Sequence, residues 1–244
     1  MIVFAPVLLI VGLLAGWWLA RGRQQRLQLP ESDRISLNLA AICGAMLGAR
    51  IPFWLEQGFT AGNWLWWSDG KTILGGIIGA YITVEVVKEC RHIKVLTGDS
   101  YALPAAVMIG FGRVACFCSG CCYGTPTDLP WGIVFSRTPD AGSIARHPTQ
   151  VYEALFHFAA ATIILIAERR KWLTVQRLKA YLIAYLAFRF ITEFIRPEPR
   201  YWLSLTAYQW TALLLIVPLV IQWHLHAQRL TATSTSPEVY PPIQ

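Results

Sequence analysis

The chain has 244 residues, of which 55% are hydrophobic and only 14% are charged, and its mean hydropathy is +0.44. These values exclude an ordinary soluble domain and indicate a membrane protein. The formal net charge of +7 raises the question of a nucleic-acid partner. The basic residues lie in short clusters between apolar runs, which is typical of membrane topology, so we expect no nucleic-acid partner.

Seven apolar runs in the sequence are long enough to cross a hydrocarbon core of about 30 Å. The first run has no basic segment before it and is longer than the core of a signal peptide, so we expect a retained span. The expected fold is an all-α, polytopic membrane domain of residues 1–230, followed by a disordered tail of residues 231–244 that is rich in Ser, Thr and Pro. The predicted spans are residues 2–20, 36–55, 72–88, 101–122, 151–168, 178–195 and 205–223.

The basic residues divide unevenly when successive connecting segments are assigned to alternate sides of the membrane. By the positive-inside rule, the richer side is cytoplasmic, which predicts an N-terminus outside and a C-terminus inside. The predicted cytoplasmic side carries Arg21, Arg23, Arg26, Arg34, Lys88, Arg91, Lys94, Arg169, Arg170, Lys171, Arg177, Lys179 and Arg229, and the other side carries only Lys71, Arg137, Arg146, Arg196 and Arg200.

The segment from Gly112 to Gly124, GRVACFCSGCCYG, places an arginine and four cysteines at the predicted outer end of the fourth span. A guanidinium group at that depth needs a partner or a polar cavity, so Arg113 is a candidate site residue. The alternative is an arginine that extends to the interface beside small residues that pack helices. This segment alone does not decide between the two interpretations.

Further charged residues are expected at the same depth on other spans. In a helix, Arg189 and Glu193 are separated by four residues and share a face, so they are able to form an ion pair. Each residue also has an ordinary interpretation as an interfacial anchor or a structural ion pair, and the glycines Gly44 and Gly48 fit helix packing better than a binding site. Together the charges predict a shared cationic cavity that suits a lipid phosphate. Its candidate members are Arg50, Arg113, Arg189, Arg196, Glu153, Glu193 and His147.

Three ordered motifs resemble those of the prolipoprotein diacylglyceryl transferase family. They are G-R-x-x-C-F-x-x-G-x-x-x-G at residues 112–124, H-P-T-Q-x-Y-E at 147–153, and R-F-x-x-E-F-x-R at 189–196. The resemblance extends over roughly residues 40–225 and includes Gly48-Ala-Arg50 and Gly75-Gly76. It implies a bacterial inner (plasma) membrane enzyme of seven spans with its active site toward the outer leaflet.

The resemblance also implies the reaction and the partners. The enzyme would move the diacylglyceryl group of phosphatidylglycerol to the lipobox cysteine thiol of a preprolipoprotein in the lipid bilayer, release glycerol phosphate and need no cofactor. It assigns catalytic roles to Arg113, Arg189, Glu193 and His147. The substrate-binding residues that it implies are Arg50, Gly75, Gly76, Cys116, Cys121, Gly124, Tyr152, Glu153 and Arg196.

The sequence departs from the family pattern at three positions. Leu74 replaces the usual histidine before the double glycine, and Cys116 and Cys121 replace an asparagine and a glutamate. Two other hypotheses therefore remain open. The cysteines at 116, 118, 121 and 122 contain a C-x-x-C pair suited to disulfide exchange in an oxidising compartment, whereas a soft-metal site lacks a nearby histidine, so we expect no metal. A lipid-binding protein without the chemistry is the other hypothesis.

Overall fold

The structure is a computed structural model, and it describes residues 4–52, 72–136 and 142–234. The described part of the chain is mostly helical, as predicted. Its α-helices are α1 (Phe4–Gln25), α2 (Glu31–Gly48), α3 (Ile73–Cys90), α4 (Gly98–Ser119), α5 (Thr149–Arg169), α6 (Arg177–Thr192) and α7 (Ala207–Ser234). Two 3₁₀ turns, η1 (Glu193–Ile195) and η2 (Trp202–Ser204), lie between α6 and α7.

A short ribbon departs from the purely helical expectation. Strands β1 (Ile133–Val134) and β2 (Ala145–Arg146) pair in the antiparallel sense, with Ile133 opposite Arg146. Backbone hydrogen bonds from Thr127 to Ala145 and from His147 to Thr125 continue this pairing toward the start of α5. The ribbon therefore brings the chain after α4 alongside the residues that precede α5.

Four helices in the described part of the chain are long and apolar enough to cross a membrane, and they are Phe4–Gln25, Gly98–Ser119, Thr149–Arg169 and Ala207–Leu225. Helices α2 and α3 have 18 residues each, and α6 has 16. At 1.5 Å per residue these three helices are about 27 Å and about 24 Å long, slightly less than a hydrocarbon core of about 30 Å. The protein is thus a membrane protein, and four helices of its described part have both the length and the apolarity of a membrane span.

The helix ends differ from the predicted span ends in several places. Helix α1 continues to Gln25, α2 begins at Glu31 and α7 extends to Ser234, into the segment predicted as a tail. Several predictions lie outside the described residues: the end of the second span, the loop from there to Lys71, the position of Arg137, and the tail beyond residue 234.

The chain forms two compact units, which are Met1–Ala20 with Gly98–Gln244, and Arg21–Thr97. In the second unit, α2 and α3 cross with their backbones in close approach. A Cβ atom added to Gly48 would collide with the Gly75 carbonyl, and one added to Gly44 would collide with the Gly79 carbonyl. The prediction that Gly44 and Gly48 pack helices is confirmed, because only glycine permits this separation.

The first unit packs α4 against α5 through small residues on α4. Gly110 lies against the ring of Phe158, where a Cβ atom would be 2.8 Å from Cε1. At the other end of α4, the Asp99 carboxylate accepts hydrogen bonds from the backbone N–H groups of Val175 (2.6 Å) and Arg177 (2.9 Å). Asp99 therefore holds the start of α6 against the start of α4.

Candidate functional site

Glu153 is the centre of the candidate site. It lies in α5, and only 1% of the residue is exposed. Its Oε1 accepts hydrogen bonds from Nη1 of Arg189 (2.9 Å) and Nη1 of Arg196 (2.8 Å), and its Oε2 forms an ion pair with Nε of Arg113. Arginines from three separate elements therefore meet at one buried carboxylate.

The second carboxylate of the site is Glu193, which is fully buried at the start of η1. Its Oε2 lies 2.8 Å from Nη2 of Arg189, so the ion pair predicted from the four-residue spacing is confirmed. The Arg189 guanidinium also lies over the ring of Tyr208, 4.8 Å from the ring centroid. Arg189 thus contacts both carboxylates and an aromatic face, which fixes its orientation.

The end of α6 and the start of α7 position Glu193. Helix α6 tightens into the 3₁₀ turn η1, and Arg196 follows it with extended backbone. Thr206 and Gln209 form a capping box at the start of α7, because Thr206 N–H donates to Gln209 Oε1 (2.9 Å) and Gln209 N–H donates to Thr206 Oγ1 (3.3 Å). The Thr206 hydroxyl then donates to Glu193 Oε1 at 3.1 Å. The helix cap therefore holds one carboxylate of the site.

The charges of this arginine–glutamate cluster do not cancel. Three guanidinium groups and two carboxylates give a net charge of +1 when all are ionised. Three guanidinium groups also carry about 15 N–H donors, more than two carboxylates can accept. Within the described residues, the buried Nε of Arg196 has no hydrogen-bond partner. A buried cluster with excess positive charge and spare donors is suited to bind an anion with oxygen acceptors, such as a phosphate.

Three further polar side chains beside the cluster were missed by the sequence analysis. His157 and Tyr185 are fully or almost fully buried, and Nδ1 of His157 lies 2.9 Å from the Tyr181 hydroxyl. The ring centroids of His157 and Tyr185 lie 4.9 Å apart. Helical spacing was an available signal, because His157 follows Glu153 by four residues, and Tyr185 precedes Arg189 by four.

Gly124 lies where the segment after α4 approaches the cluster. A Cβ atom at this position would be 2.6 Å from the Ile195 carbonyl oxygen and 2.7 Å from Cβ of His147. The Gly124 N–H donates to the His147 carbonyl at 2.8 Å. Only glycine permits this close approach, so Gly124 has a packing role in addition to its predicted substrate role.

His147 and Tyr152 form a polar group of their own at the start of α5. Nδ1 of His147 lies 3.4 Å from the Tyr152 hydroxyl, which also accepts a hydrogen bond from Nε1 of Trp131 at 2.8 Å. Both residues are half-buried. Tyr152 directly precedes Glu153, so this pair is adjacent in sequence to the centre of the site.

Three predicted residues, Arg50, Gly75 and Gly76, lie in the other compact unit. Arg50 follows α2 and is 1% exposed. Gly75 and Gly76 are in the first turn of α3, where Gly75 packs against Gly48 and its N–H donates to the Thr72 side chain at 3.1 Å. The observed contacts of Gly75 and Gly76 are those of helix packing and capping, and the predicted role of all three residues in substrate binding stays a prediction.

Comparison with known proteins identifies the family. The sequence model described as "Prolipoprotein diacylglyceryl transferase" matches residues 5–225. The chain belongs to the prolipoprotein diacylglyceryl transferase family. A Rhodospirillum rubrum protein named phosphatidylglycerol–prolipoprotein diacylglyceryl transferase is 34% identical over 207 residues, which are 78% of this chain and 73% of that protein.

Two other relatives carry the same name. The Clostridium tetani protein is 32% identical over 205 residues, which are 79% of this chain and 80% of that protein. The Methylococcus capsulatus protein is 31% identical over 226 residues, which are 87% of this chain and 84% of that protein. The similarity therefore includes most of both compact units.

In this member of the prolipoprotein diacylglyceryl transferase family, three of the four cysteines between Gly112 and Gly124 lie close together. All six cysteines are free. The Sγ atoms of Cys116, Cys121 and Cys122 lie within 4.8 Å of one another, and Cys118 is not part of this group. Two of the three, Cys116 and Cys121, are positions at which the sequence departs from the family pattern, and Cys116 follows Arg113 by three residues.

Proposed function

We propose that this protein transfers the diacylglyceryl group of phosphatidylglycerol to the lipobox cysteine thiol of preprolipoproteins. The observation that carries the proposal is the meeting of Arg113, Arg189 and Arg196 at one buried carboxylate, with net positive charge and spare donors. Membership in the prolipoprotein diacylglyceryl transferase family gives the reaction class, and the relatives' names give the two substrates.

The proposal includes a topology of seven spans in the bacterial inner membrane, with the N-terminus outside and the C-terminus in the cytoplasm. Four described helices meet the length and apolarity expected of spans. Helices α2, α3 and α6 are only slightly shorter than the hydrocarbon core. Polar flanking residues or local thinning of the bilayer make up the difference in length, so these helices also reach across it. With the basic residues on the cytoplasmic side, the arginine–glutamate cluster lies toward the outer leaflet.

In the proposed reaction, the arginines bind the phosphate of phosphatidylglycerol. The acceptor thiol loses its proton, and the thiolate attacks the diacylglyceryl carbon that is bonded to the phosphate oxygen. An S–C bond forms, the C–O bond breaks, and its electron pair remains on the oxygen of the released glycerol phosphate. Arg113 and Arg189 stabilise the negative charge that develops on this phosphate, because their guanidinium groups are already oriented by Glu153 and Glu193.

The other site residues have supporting roles in this proposal. His147 takes the thiol proton, with its ring oriented by Tyr152. In this proposal, Cys116, Cys121 and Gly124 lie along the path by which the cysteine of the peptide reaches the diacylglyceryl carbon that it attacks. Arg50, Gly75 and Gly76 bind the lipid, and Arg196 joins Arg113 and Arg189 on the phosphate.

The test uses the purified protein in detergent with phosphatidylglycerol and a lipobox peptide. The measurements are the mass increase of the peptide cysteine and the release of glycerol phosphate. Arg113→Lys keeps the charge but loses the fork-shaped donor group, so we expect at least a 100-fold loss of activity. The control is Arg200→Ala, because Arg200 is exposed and bonds the Phe194 carbonyl.

Equal activity of the wild type and Arg113→Lys would contradict the assigned role of Arg113. Binding of phosphatidylglycerol without release of glycerol phosphate, in the presence of the peptide, would support the lipid-binding alternative and contradict the transferase. Release of glycerol phosphate without a mass change on the peptide would show a different acceptor.

A further inference from the structure

Three thiols lie together at the end of α4, outside the set of charged residues that the proposed reaction uses. The Sγ atoms of Cys116, Cys121 and Cys122 are within 4.8 Å of one another. Three thiolates on a tetrahedral zinc ion, with Zn–S bonds of about 2.3 Å, have sulfur–sulfur separations of about 3.8 Å. Side-chain rotations that move each sulfur by about 1 Å or less therefore convert the observed arrangement into a three-thiolate metal site.

The backbone presents these thiols to a common point. Cys116 lies in the last turn of α4, and the chain then reverses through left-handed conformations at Gly120 (φ 66°) and Cys122 (φ 61°). The returned segment is held by α5, because the Gln150 side chain donates to the Cys121 carbonyl and the Thr149 hydroxyl donates to the Cys122 carbonyl at 2.7 Å. The three sulfurs are thus brought together by fixed backbone rather than by flexible side chains alone.

The charge of such a site matches its surroundings. Three thiolates with one dication carry a net charge of −1, and the adjacent arginine–glutamate cluster carries +1. Cys116 and Cys122 interact electrostatically with Arg113, and Cys122 also interacts with Arg196. The positive charge of the cluster stabilises the net negative charge that the site carries once three thiolates hold the dication. Cys121 and Cys122 are exposed, so an ion can reach them from the surface.

We propose that Cys116, Cys121 and Cys122 bind a thiophilic d¹⁰ cation of the zinc type, and that its fourth position binds the acceptor thiol. Three protein ligands with one open position is the arrangement of catalytic zinc sites. A thiol that binds the cation has a lowered pKa, loses its proton to His147, the base of the proposed reaction, and becomes a thiolate. That thiolate then forms the S–C bond of the transfer step, and the phosphate oxygen keeps the electron pair of the broken C–O bond. The role of the fourth position rests on the proposed function, whereas the metal site itself does not.

The first experiment measures metal binding without the reaction. The full-length protein is purified in detergent, reduced and titrated with Co²⁺, whose visible absorption reports tetrahedral thiolate coordination. We expect about one Co²⁺ per protein, displaced by Zn²⁺. Cys121→Ser and Cys116→Ser should abolish the absorption, and Cys118→Ser, which alters a thiol of the same segment outside the group, should retain it. Cys121 is exposed, so its variant tests the ligand without a risk to the core.

Absence of the thiolate absorption in the wild type, or its persistence in Cys121→Ser, would overturn the metal site. A disulfide between any two of Cys116, Cys121 and Cys122 in protein isolated without reductant would overturn it as well, because it would leave too few thiolate ligands. This result would favour the thiol–disulfide hypothesis instead.

The second experiment adds a lipobox peptide to the Co²⁺-loaded protein. A shift of the Co²⁺ absorption with the cysteine peptide, and none with the same peptide carrying serine, would support binding of the acceptor thiol to the metal. No shift with either peptide would overturn this role. Transfer activity that persists after the metal is chelated would overturn the role of the metal in the transfer but leave the proposed function intact. Thiol binding without any transfer would instead contradict the proposed function.

Discussion

Glu153→Gln tests the arginine–glutamate cluster most directly, because glutamine has nearly the shape of glutamate but no charge. Its single oxygen can still accept from Arg189 and Arg196, but its NH₂ group then faces the Arg113 Nε–H, donor against donor. The net charge of the cluster rises from +1 to +2 in a site that is 1% exposed. Removing one partner of a buried ion pair costs about 3–5 kcal/mol, and we expect a loss in this range.

Thermal unfolding in detergent provides the assay. For a chain of this size, 1 kcal/mol corresponds to roughly 2–4 °C, so a loss of about 3 kcal/mol lowers the Tm by about 6–12 °C. Glu193→Gln loses one ion pair with Arg189, whereas its remaining oxygen can still accept from the Thr206 hydroxyl, so it should lose about 1–3 kcal/mol. Glu85→Gln is the control, because the Glu85 carboxylate is 48% exposed and the glutamine oxygen can still accept from Lys88, so stability should change by less than about 1 kcal/mol.

The ranking of the three variants decides the outcome. A Tm for Glu153→Gln that equals the Tm of Glu85→Gln would show that the three arginines do not converge on a buried carboxylate. The proposed phosphate site would then lose its structural basis.

Two further predictions concern residues that hold the site in place. Gly124→Ala should lose about 1–3 kcal/mol, because the new methyl group would collide with neighbouring backbone, whereas Gly112→Ala, with nothing within 4 Å, should be neutral or stabilising by up to about 1 kcal/mol. Thermal unfolding of both variants checks this, and equal losses would contradict it. Thr206→Val should lose about 1–2 kcal/mol through the cap and lower transferase activity through Glu193. Thr211→Val, whose hydroxyl bonds its own helix, is the control, and a normal Tm for Thr206→Val would refute the role of the cap.

The helices were predictable because apolar runs of this length form helices in lipid, but hydropathy places their ends poorly. Helix α1 continues to Gln25 because arginine and glutamine favour helix after the apolar run has ended. Helix α2 begins at Glu31, directly after Pro30 and with acidic residues in its first turn, which are start signals that hydropathy ignores. Both differences follow from helix propensity and capping.

The candidate site was predictable as a set of residues but not as a set of contacts. The Arg189–Glu193 pair follows from helical spacing alone. The choice of Glu153 as the common partner depends on how α4, α5 and α6 pack, which local spacing does not determine. Thr206-x-x-Gln209 is a capping-box pattern that the sequence displays, but its contact with Glu193 requires the turn after α6.

The cysteine spacing did not predict the group of three thiols, because the segment does not continue as a regular helix. A C-x-x-C pair at 118 and 121 assumes helix or a simple turn through both residues. Helix α4 ends at Ser119, and the left-handed conformations of Gly120 and Cys122 turn the next two thiols toward Cys116 instead. A left-handed conformation is foreseeable for glycine, but it is uncommon for cysteine and is set here by the contacts of the segment.

Those contacts connect the thiols to the arginines through the end of α6. The last carbonyls of a helix have no partner within the helix, and the Ile195 carbonyl accepts hydrogen bonds from the N–H (2.9 Å) and hydroxyl (3.3 Å) of Thr125. Gly124 makes this approach possible, and Thr125 follows Cys122 by three residues. The turn that places Arg196 on Glu153 is therefore also the anchor of the cysteine segment. A substitution at this anchor should alter both the spacing of the three thiols and the arginine–glutamate cluster. A substitution of one thiol or of one cluster residue, by contrast, can alter either feature without the other.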